Sequence, residues 1–359
     1  LAAFRATASE APLAFSHPVC SQSRAAILFG SYAKKIGTLR DIGFQEPVFD
    51  TPPATLPTLP GVLQAAGYAT ALVGKWHCGP SLAGAHWSQG PIERGYREWL
   101  AGTRLNLVND GGTGYSDWSR VDANAGGFAL DPHHMQYATQ AQLDAAAFWW
   151  ATNPTGPAFL HVAFNAPHGP HHAPPASLLA GWPVPGLGAS RRTRYLAMLR
   201  SADTAFGRLL DMVGPDTAVF LYSDNGTTAE VLAAGEDETH AKATTFDGGI
   251  RALCLARWPG CTPGASAGLQ HIMDISAGVL AVAGVMAPFE WDARTTPRVN
   301  VLSEASLHTI LVDAPVVIDR ACRTLTHKLR QVDGAEELYD LVNDPDELTP
   351  LDLDAPENA

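Results

Sequence analysis

The sequence predicts an α/β fold. Three observations carry that reading: short apolar, β-prone runs, helical patterns lying between them, and Gly and Pro punctuation about every ten to twenty residues. The β-prone runs are Ala69–Gly74, Ala158–Phe164, Thr217–Ser223 and Ala252–Arg257, each closed by a polar or Gly-containing turn. Helical patterns cover Leu59–Ala66, Met135–Ala151, Thr193–Val213 and Ile272–Ala283. Apolar strands that interleave with helices belong in a sheet covered on both faces. The alternation stops near Pro288. From Leu307 the runs shorten (His308–Val312, Val316–Asp319, Thr324–Arg330, Glu337–Leu341) and are separated by Asp, Pro and Gly, which predicts a small antiparallel sheet. The expected organisation is an α/β domain over residues 1–300 and a small C-terminal α+β subdomain over 301–359.

A chain of 359 residues is long enough for two domains, or for one large domain with an appendage. Apolar residues at 46% and charged residues at 17% exclude disorder as the dominant state. With a formal charge of −12 and no dense Lys/Arg block, the chain is not expected to bind nucleic acid. No run reaches the roughly 18 apolar residues of a membrane helix, so no membrane span is expected, and Leu1–Glu10 lacks the pattern of a signal peptide. Five cysteines at irregular spacing make no disulfide framework; Cys254 and Cys261 could pair, but nothing in the sequence requires it.

In open α/β sheets the ligand sits just beyond the carboxyl ends of the strands. Three of the predicted strands end there in reactive residues: Gly74-Lys75-Trp76-His77, Asn165-Ala166-Pro167-His168-Gly169 and Asp224-Asn225-Gly226. Converging, they would suit an oxyanion, since Lys neutralises charge on a tetrahedral anion and His donates a hydrogen bond or moves a proton to a leaving oxygen. Asp and Asn oxygens suit a hard cation such as Ca2+ or Mg2+, with further ligands needed from elsewhere. Taken singly, Lys-Trp-His also reads as a packed Trp with solvated neighbours, and Ser-Asp-Asn-Gly as an ordinary turn.

Upstream, Cys20 lies at or just before the start of the helix-like Ala25–Gly30, close to Arg24. A Cys beside an Arg at a helix N-terminus reads either as an activated thiol or as an inert buried cysteine.

These blocks, in this order, resemble the sulfatases of the alkaline phosphatase superfamily, from about Leu1 to about Leu353. Cys20-Ser21-Gln22-Ser23-Arg24, continuing to Leu28 and Gly30, is similar to the family's C-x-P-S-R-x-x-x-L-x-G signature. Ala65–Thr70 followed by Gly74-Lys75-Trp76-His77-Cys78-Gly79 is similar to the second signature. Ala166-Pro167-His168, Tyr222–Gly226, Lys242–Arg251 and the tail block Glu337–Leu341 with Asn343-Asp344-Pro345 also match. The resemblance implies an alkaline-phosphatase-like central mixed sheet sandwiched by helices, with the small C-terminal antiparallel sheet beside it.

It implies a chemistry as well. Cys20 would be converted by a formylglycine-generating enzyme to formylglycine, whose hydrated gem-diol attacks sulfur, and Arg24 would stabilise that diol. Lys75 and Lys242 would hold the sulfate oxygens, and His168 would protonate the leaving alcohol or phenol. His77 would take the proton that lets the sulfate hemiacetal collapse to the aldehyde. Asp224 and Asn225 would bind a divalent ion, Ca2+ in most of the family with Mg2+ as the alternative, acting as a Lewis acid. The expected substrate is an aryl sulfate or a sulfated carbohydrate, and the expected location is secreted or periplasmic.

Two features depart from the family pattern. The family's first strand, which ends in an Asp pair that completes the metal site, would precede Leu1, so the natural chain is expected to extend upstream. Gln22 stands where the family has the Pro that its maturation enzymes read. An unconverted thiol could not run the hemiacetal cycle, because S-sulfated cysteine has no second hydroxyl to expel the sulfate. Two alternatives to a sulfatase therefore stand: a phosphate or phosphonate ester hydrolase on the same fold, and a catalytically silent protein that binds sulfated glycans. His133-His134 and His171-His172 are read as loop or pocket-lining residues, since adjacent histidines splay apart, and Trp149-Trp150 as core. The Gly-rich region Ser81–Gly127, with Trp87, Trp99 and Trp118, is expected to shape the substrate pocket.

Overall fold

The structure is a computed structural model that describes residues 1–38, 41–42, 55–79, 87–153, 155–307 and 317–355. It divides into two compact units, one built chiefly from Ala54–Thr217 and the other chiefly from Ala2–Ile42 and Ala218–Ala359.

In the first unit a five-stranded mixed sheet runs in the order Gly127–His134, Trp118–Asn124, Glu98–Thr103, Ala69–Lys75, Ala158–Ala163. The last three strands are parallel, and the first two are antiparallel additions at the edge. Two of the parallel strands were expected from their apolar runs. Their neighbour at 98–103 and the strand Trp118–Asn124 lie in the Gly-rich region expected to shape the pocket, which thus carries two strands as well as turns, and the strand Gly127–His134 that completes the hairpin begins where that region ends. The hairpin's buried face is short, with Trp118, Val121 and Ala123 pointing inward between polar residues, so no continuous apolar run announces it. Predicted residues 80–86 lie outside the described residues.

The helix Ala138–Thr152 packs its Ala141, Ala145 and Ala146 face into a core with Val73, Trp118, Met198 and Leu209, the last two from the helix Arg191–Val213. Small residues on that face let backbone approach the sheet closely. Ser190 caps the long helix by accepting from the Thr193 amide, and Thr58 caps Leu59–Ala65 by accepting from the Gly61 amide. Trp149 is buried, its indole donating to Glu98 at 3.0 Å, which agrees with a packing role.

In the second unit the strands run Gly264–Ala265, Ser9–Glu10, Cys254–Arg257, Val219–Tyr222. The helix Cys20–Phe29 joins this sheet through Ile27, which packs on Ala252, Ile272 and Ile275 at the start of the helix Asp274–Val282. Four further strands, Val301–Leu307, Val317–Arg323, His327–Val332 and Ala335–Asp340, form the antiparallel meander expected at the C-terminus. The expected run His308–Val312 lies outside the described residues. All five cysteines are free thiols, so Cys254 and Cys261 do not pair. Among the described residues no helix is long and apolar enough to cross a membrane.

Candidate functional site

Each unit carries its own cluster of the expected site residues. In the second unit Cys20 is the first residue of its ten-residue helix, and Val19 before it is extended and offers no capping side chain. The first amides of the helix therefore present their partial positive charge at Cys20. The thiol is buried; Lys242 Nζ donates to Sγ at 3.0 Å, and Asn225 Oδ1 lies 3.3 Å from it. One helical turn on, Arg24 Nε donates to Asp224 Oδ2 at 3.0 Å. Five of the eight expected residues are thus held together: Cys20, Arg24, Asp224, Asn225 and Lys242.

The backbone explains why. The strand Val219–Tyr222 ends in Ser223, whose amide donates to the Leu253 carbonyl and whose hydroxyl accepts from the Leu253 amide. That double bond turns the chain so that Asp224 and Asn225 leave the sheet edge together. Gly226 then donates to the Gly249 carbonyl at 2.8 Å, an approach so close that a Cβ on Gly226 would stand 1.9 Å from the Gly248 oxygen. Only glycine fits there. Burial works to lower the pKa of Lys242, but its interactions with Cys20 and Asp224 outweigh burial and raise it, so the side chain is an ammonium.

In the first unit Lys75 ends the strand Ala69–Lys75, buried, with Nζ donating to Asn106 Oδ1 at 2.7 Å. Gly74 before it has φ of +92°, and a Cβ there would meet the Ala163 carbonyl at 2.3 Å. The next two amides, Trp76 and His77, donate to the carbonyls of Thr103 and Arg104, which carries His77 over the end of the neighbouring strand. Gly74 pairs in register with Ala163, so Lys75 and the Asn165–His168 segment leave the sheet at the same edge. Asn165 ties that edge together: its Oδ1 accepts from Thr103 Oγ1 at 3.2 Å and from Gln142 Nε2 at 2.6 Å, while its carbonyl accepts from the His168 amide. His168 Nδ1 donates to the Gly169 carbonyl at 2.8 Å, and Tyr115 donates to the His168 carbonyl. A carbonyl only accepts, so Nδ1 carries the hydrogen and proton exchange falls to Nε2.

Asn106 and Asn165 were not singled out from the sequence. Asn165 stands inside a quoted block and its amide could have been weighed; Asn106 lies in a loop with no pattern around it. The paired histidines go to separate partners, as adjacent side chains do: His133 to Asp117 and His134 to Asp131, while His171 packs edge-on against Tyr195. Gln22 is fully buried, and its Nε2 donates to the Glu304 carbonyl at 2.9 Å.

Asp224 and Asn225 offer a carboxylate and an amide oxygen, the right kind of donor for a hard cation and short of the six to eight or so that Ca2+ takes. Among the described residues no three or more His, Cys, Asp or Glu side chains are grouped to hold a metal. The pair fits a divalent ion in chemistry and would supply part of its shell.

The profile described as Sulfatase matches residues 11–285, more than half of the chain and a span that includes every site residue above. The chain belongs to the sulfatase family. N-acetylgalactosamine-6-sulfatase of Homo sapiens is 30% identical over 347 residues, covering 88% of this chain and 62% of that protein. Arylsulfatase of Hemicentrotus pulcherrimus is 29% identical over 316 residues, covering 81% and 55%. The chain thus spans about three-fifths of the length of such sulfatase relatives. Among solved structures, Ps i-CgsB (22% identity, TM-score 0.75, covering 98% of this chain and 82% of that one) and the PsFucS1 sulfatase from Pseudoalteromonas sp. (19%, 0.75, 98% and 80%) share the fold. The expected α/β sulfatase architecture with a small C-terminal antiparallel sheet is therefore observed.

Proposed function

We propose that this protein hydrolyses sulfate esters, with an aryl sulfate or a sulfated carbohydrate as substrate. One observation carries the reading: Cys20, at a helix start, is flanked by Lys242 Nζ at 3.0 Å and Asn225 Oδ1 at 3.3 Å, with the Arg24–Asp224 pair one turn away. Formylglycine formed from Cys20 by a formylglycine-generating enzyme would supply the nucleophile on sulfur, and a divalent ion held by Asp224 and Asn225, Ca2+ with Mg2+ as the alternative, would supply Lewis acidity. Arg24 donates hydrogen bonds at the nucleophile. Lys242 and Lys75 neutralise the sulfate oxygens as charge develops on them. His168, its Nδ1 hydrogen fixed on the Gly169 carbonyl, delivers a proton from Nε2 to the leaving oxygen, and His77 accepts the proton that ends the cycle. A secreted or periplasmic location accompanies this reading.

A second reading rests on Gln22. If its side chain replaces the Pro read during maturation and Cys20 stays a thiol, the same cluster binds sulfated glycans without turnover. Mass mapping of the Cys20 peptide from the native host, with rates on aryl sulfate and aryl phosphate, tests both. Aldehyde at Cys20 and faster sulfate turnover are expected. A plain thiol with sulfated-oligosaccharide binding and no turnover would establish the second reading; faster phosphate turnover would make the protein a phosphate or phosphonate ester hydrolase.

A further inference from the structure

Lys242 reaches Cys20 from a loop that has little regular structure of its own, since Lys242 to Phe246 precede the one-turn helix Asp247–Ile250. Its neighbour Ala243 sits at φ +80°, a conformation L-residues rarely adopt, with its amide donating to the Pro18 carbonyl at 3.1 Å. A segment held like this needs an external clamp, because it would otherwise relax toward ordinary backbone angles.

The clamp is the C-terminal sheet. Asp319, fully buried on the strand Val317–Arg323, accepts from both the amide of Thr245 (3.0 Å) and its hydroxyl (2.5 Å). Arg330 on the next strand holds Asp319 from the other side through Nε and Nη2, at 3.1 and 3.0 Å. Lys328, also fully buried, donates to the Thr245 carbonyl at 3.0 Å and pairs with Asp247 at 2.5 Å and Glu347 at 2.6 Å. Between these anchors the Phe246 ring lies under the Arg330 guanidinium, 4.1 Å from its centroid. Buried charges arranged this way lose much when one member is removed, and hydrogen-bonded pairs fix geometry more sharply than apolar contacts.

We propose that Asp319 is a positioning residue for the reaction: through Thr245 it fixes the loop that sets Lys242 Nζ against Cys20, which makes the C-terminal sheet part of the active-site scaffold. This rests on the sulfatase reading only for its catalytic meaning; the placement of Lys242 is open to measurement without it. Among the described residues the side-chain hydrogen bonds of Asp319 go to Thr245 and Arg330 and none to Cys20, so its influence on Cys20 is indirect, and dependence on Lys242 is what the proposal predicts.

The experiment is a double-mutant cycle on the full chain bearing Cys20 as the thiol, read by the rate of Cys20 alkylation with iodoacetamide at fixed pH. Asp319→Asn, Lys242→Ala and the double variant are compared, with Cys20 modification followed by peptide mass analysis. Asp319→Asn is expected to change the rate by about 3-fold or more in the parent and by less than about 1.5-fold in the Lys242→Ala background, the non-additivity of residues acting through one another. Thr245→Val, which removes the hydroxyl's bonds to Asp319 and Arg330 but keeps the amide bond to Asp319, keeps the test alive should Asp319→Asn not fold, and is expected to show the same dependence on Lys242. An effect equal in both backgrounds, or none in the parent, overturns the proposal. Sulfate-ester turnover measured on matured samples separates the two claims: alkylation coupling without any turnover leaves the positioning role standing and rejects the hydrolase reading, while turnover without coupling does the reverse.

Discussion

Lys242 Nζ stands 3.0 Å from Cys20 Sγ, although 222 positions separate the two residues in the chain. An ammonium this close to the expected nucleophile is placed to neutralise charge on any tetrahedral anion that Cys20 or its oxidised product engages. Lys242→Met should therefore lower kcat/KM on an aryl sulfate by about 100-fold or more, the scale for removing a charged donor aimed at developing charge. Steady-state kinetics on the matured protein checks this, and a loss of only a few-fold would remove Lys242 from the chemistry.

Asp224 and Asn225 should bind a divalent ion. Melting temperature is expected to rise with free Ca2+, as it does for any ligand that binds only the folded chain, and to fall on chelation. Asp224→Ala should abolish the calcium-dependent increment. A melting temperature that ignores Ca2+ in the parent protein would rule out the ion at this pair.

Acid stability should depend in part on His17. Burial lowers its pKa to about 4, well below the ordinary imidazole value, and its Nε2 accepts from the Ala33 amide at 3.2 Å. Between about pH 6.5 and that lowered value the unfolded chain takes up a proton that the folded chain refuses. Stability should accordingly be complete above the upper limit and decline as pH falls through the window, by an order of about 3 kcal/mol from this group. Urea midpoints measured across the window should drop, and His17→Gln, which keeps a polar acceptor without a titrating ring, should flatten the decline. Identical pH slopes in the two proteins would assign the acid limb elsewhere.

Gly226→Ala tests the close packing behind the Asp224-Asn225 turn. Its Cβ would meet the Gly248 oxygen at 1.9 Å, so backbone must move. A loss of about 2 kcal/mol or more is expected by denaturant titration, together with loss of the calcium-dependent rise in melting temperature. Wild-type stability in that variant would mean that the two loops are not in contact.

Much of the fold was legible because its signals are local. The strands at 69–75, 158–163, 219–222 and 254–257 and the four expected helices appear within a few residues of their apolar runs, since a strand or helix buried against a core must be apolar along its own length. The Glu98–Thr103 strand and the Trp118–His134 hairpin were not legible. Their residues alternate with Arg120 and Asp122, and their pairing depends on neighbours supplied by distant segments.

The sequence by itself determined the family, the candidate reactive residues and the order in which they come, because those are matters of residue type and spacing. Tertiary structure alone decided their partners: Lys242 on Cys20, Arg24 on Asp224, Asn106 on Lys75, Asn165 across Thr103 and Gln142, and Asp319 on the Lys242 loop. The reason is physical. A side chain's charge and hydrogen-bonding capacity travel with the residue, whereas a distance of about 3 Å between residues far apart in sequence exists only after the core has packed and buried polar groups have found the partners that offset their desolvation.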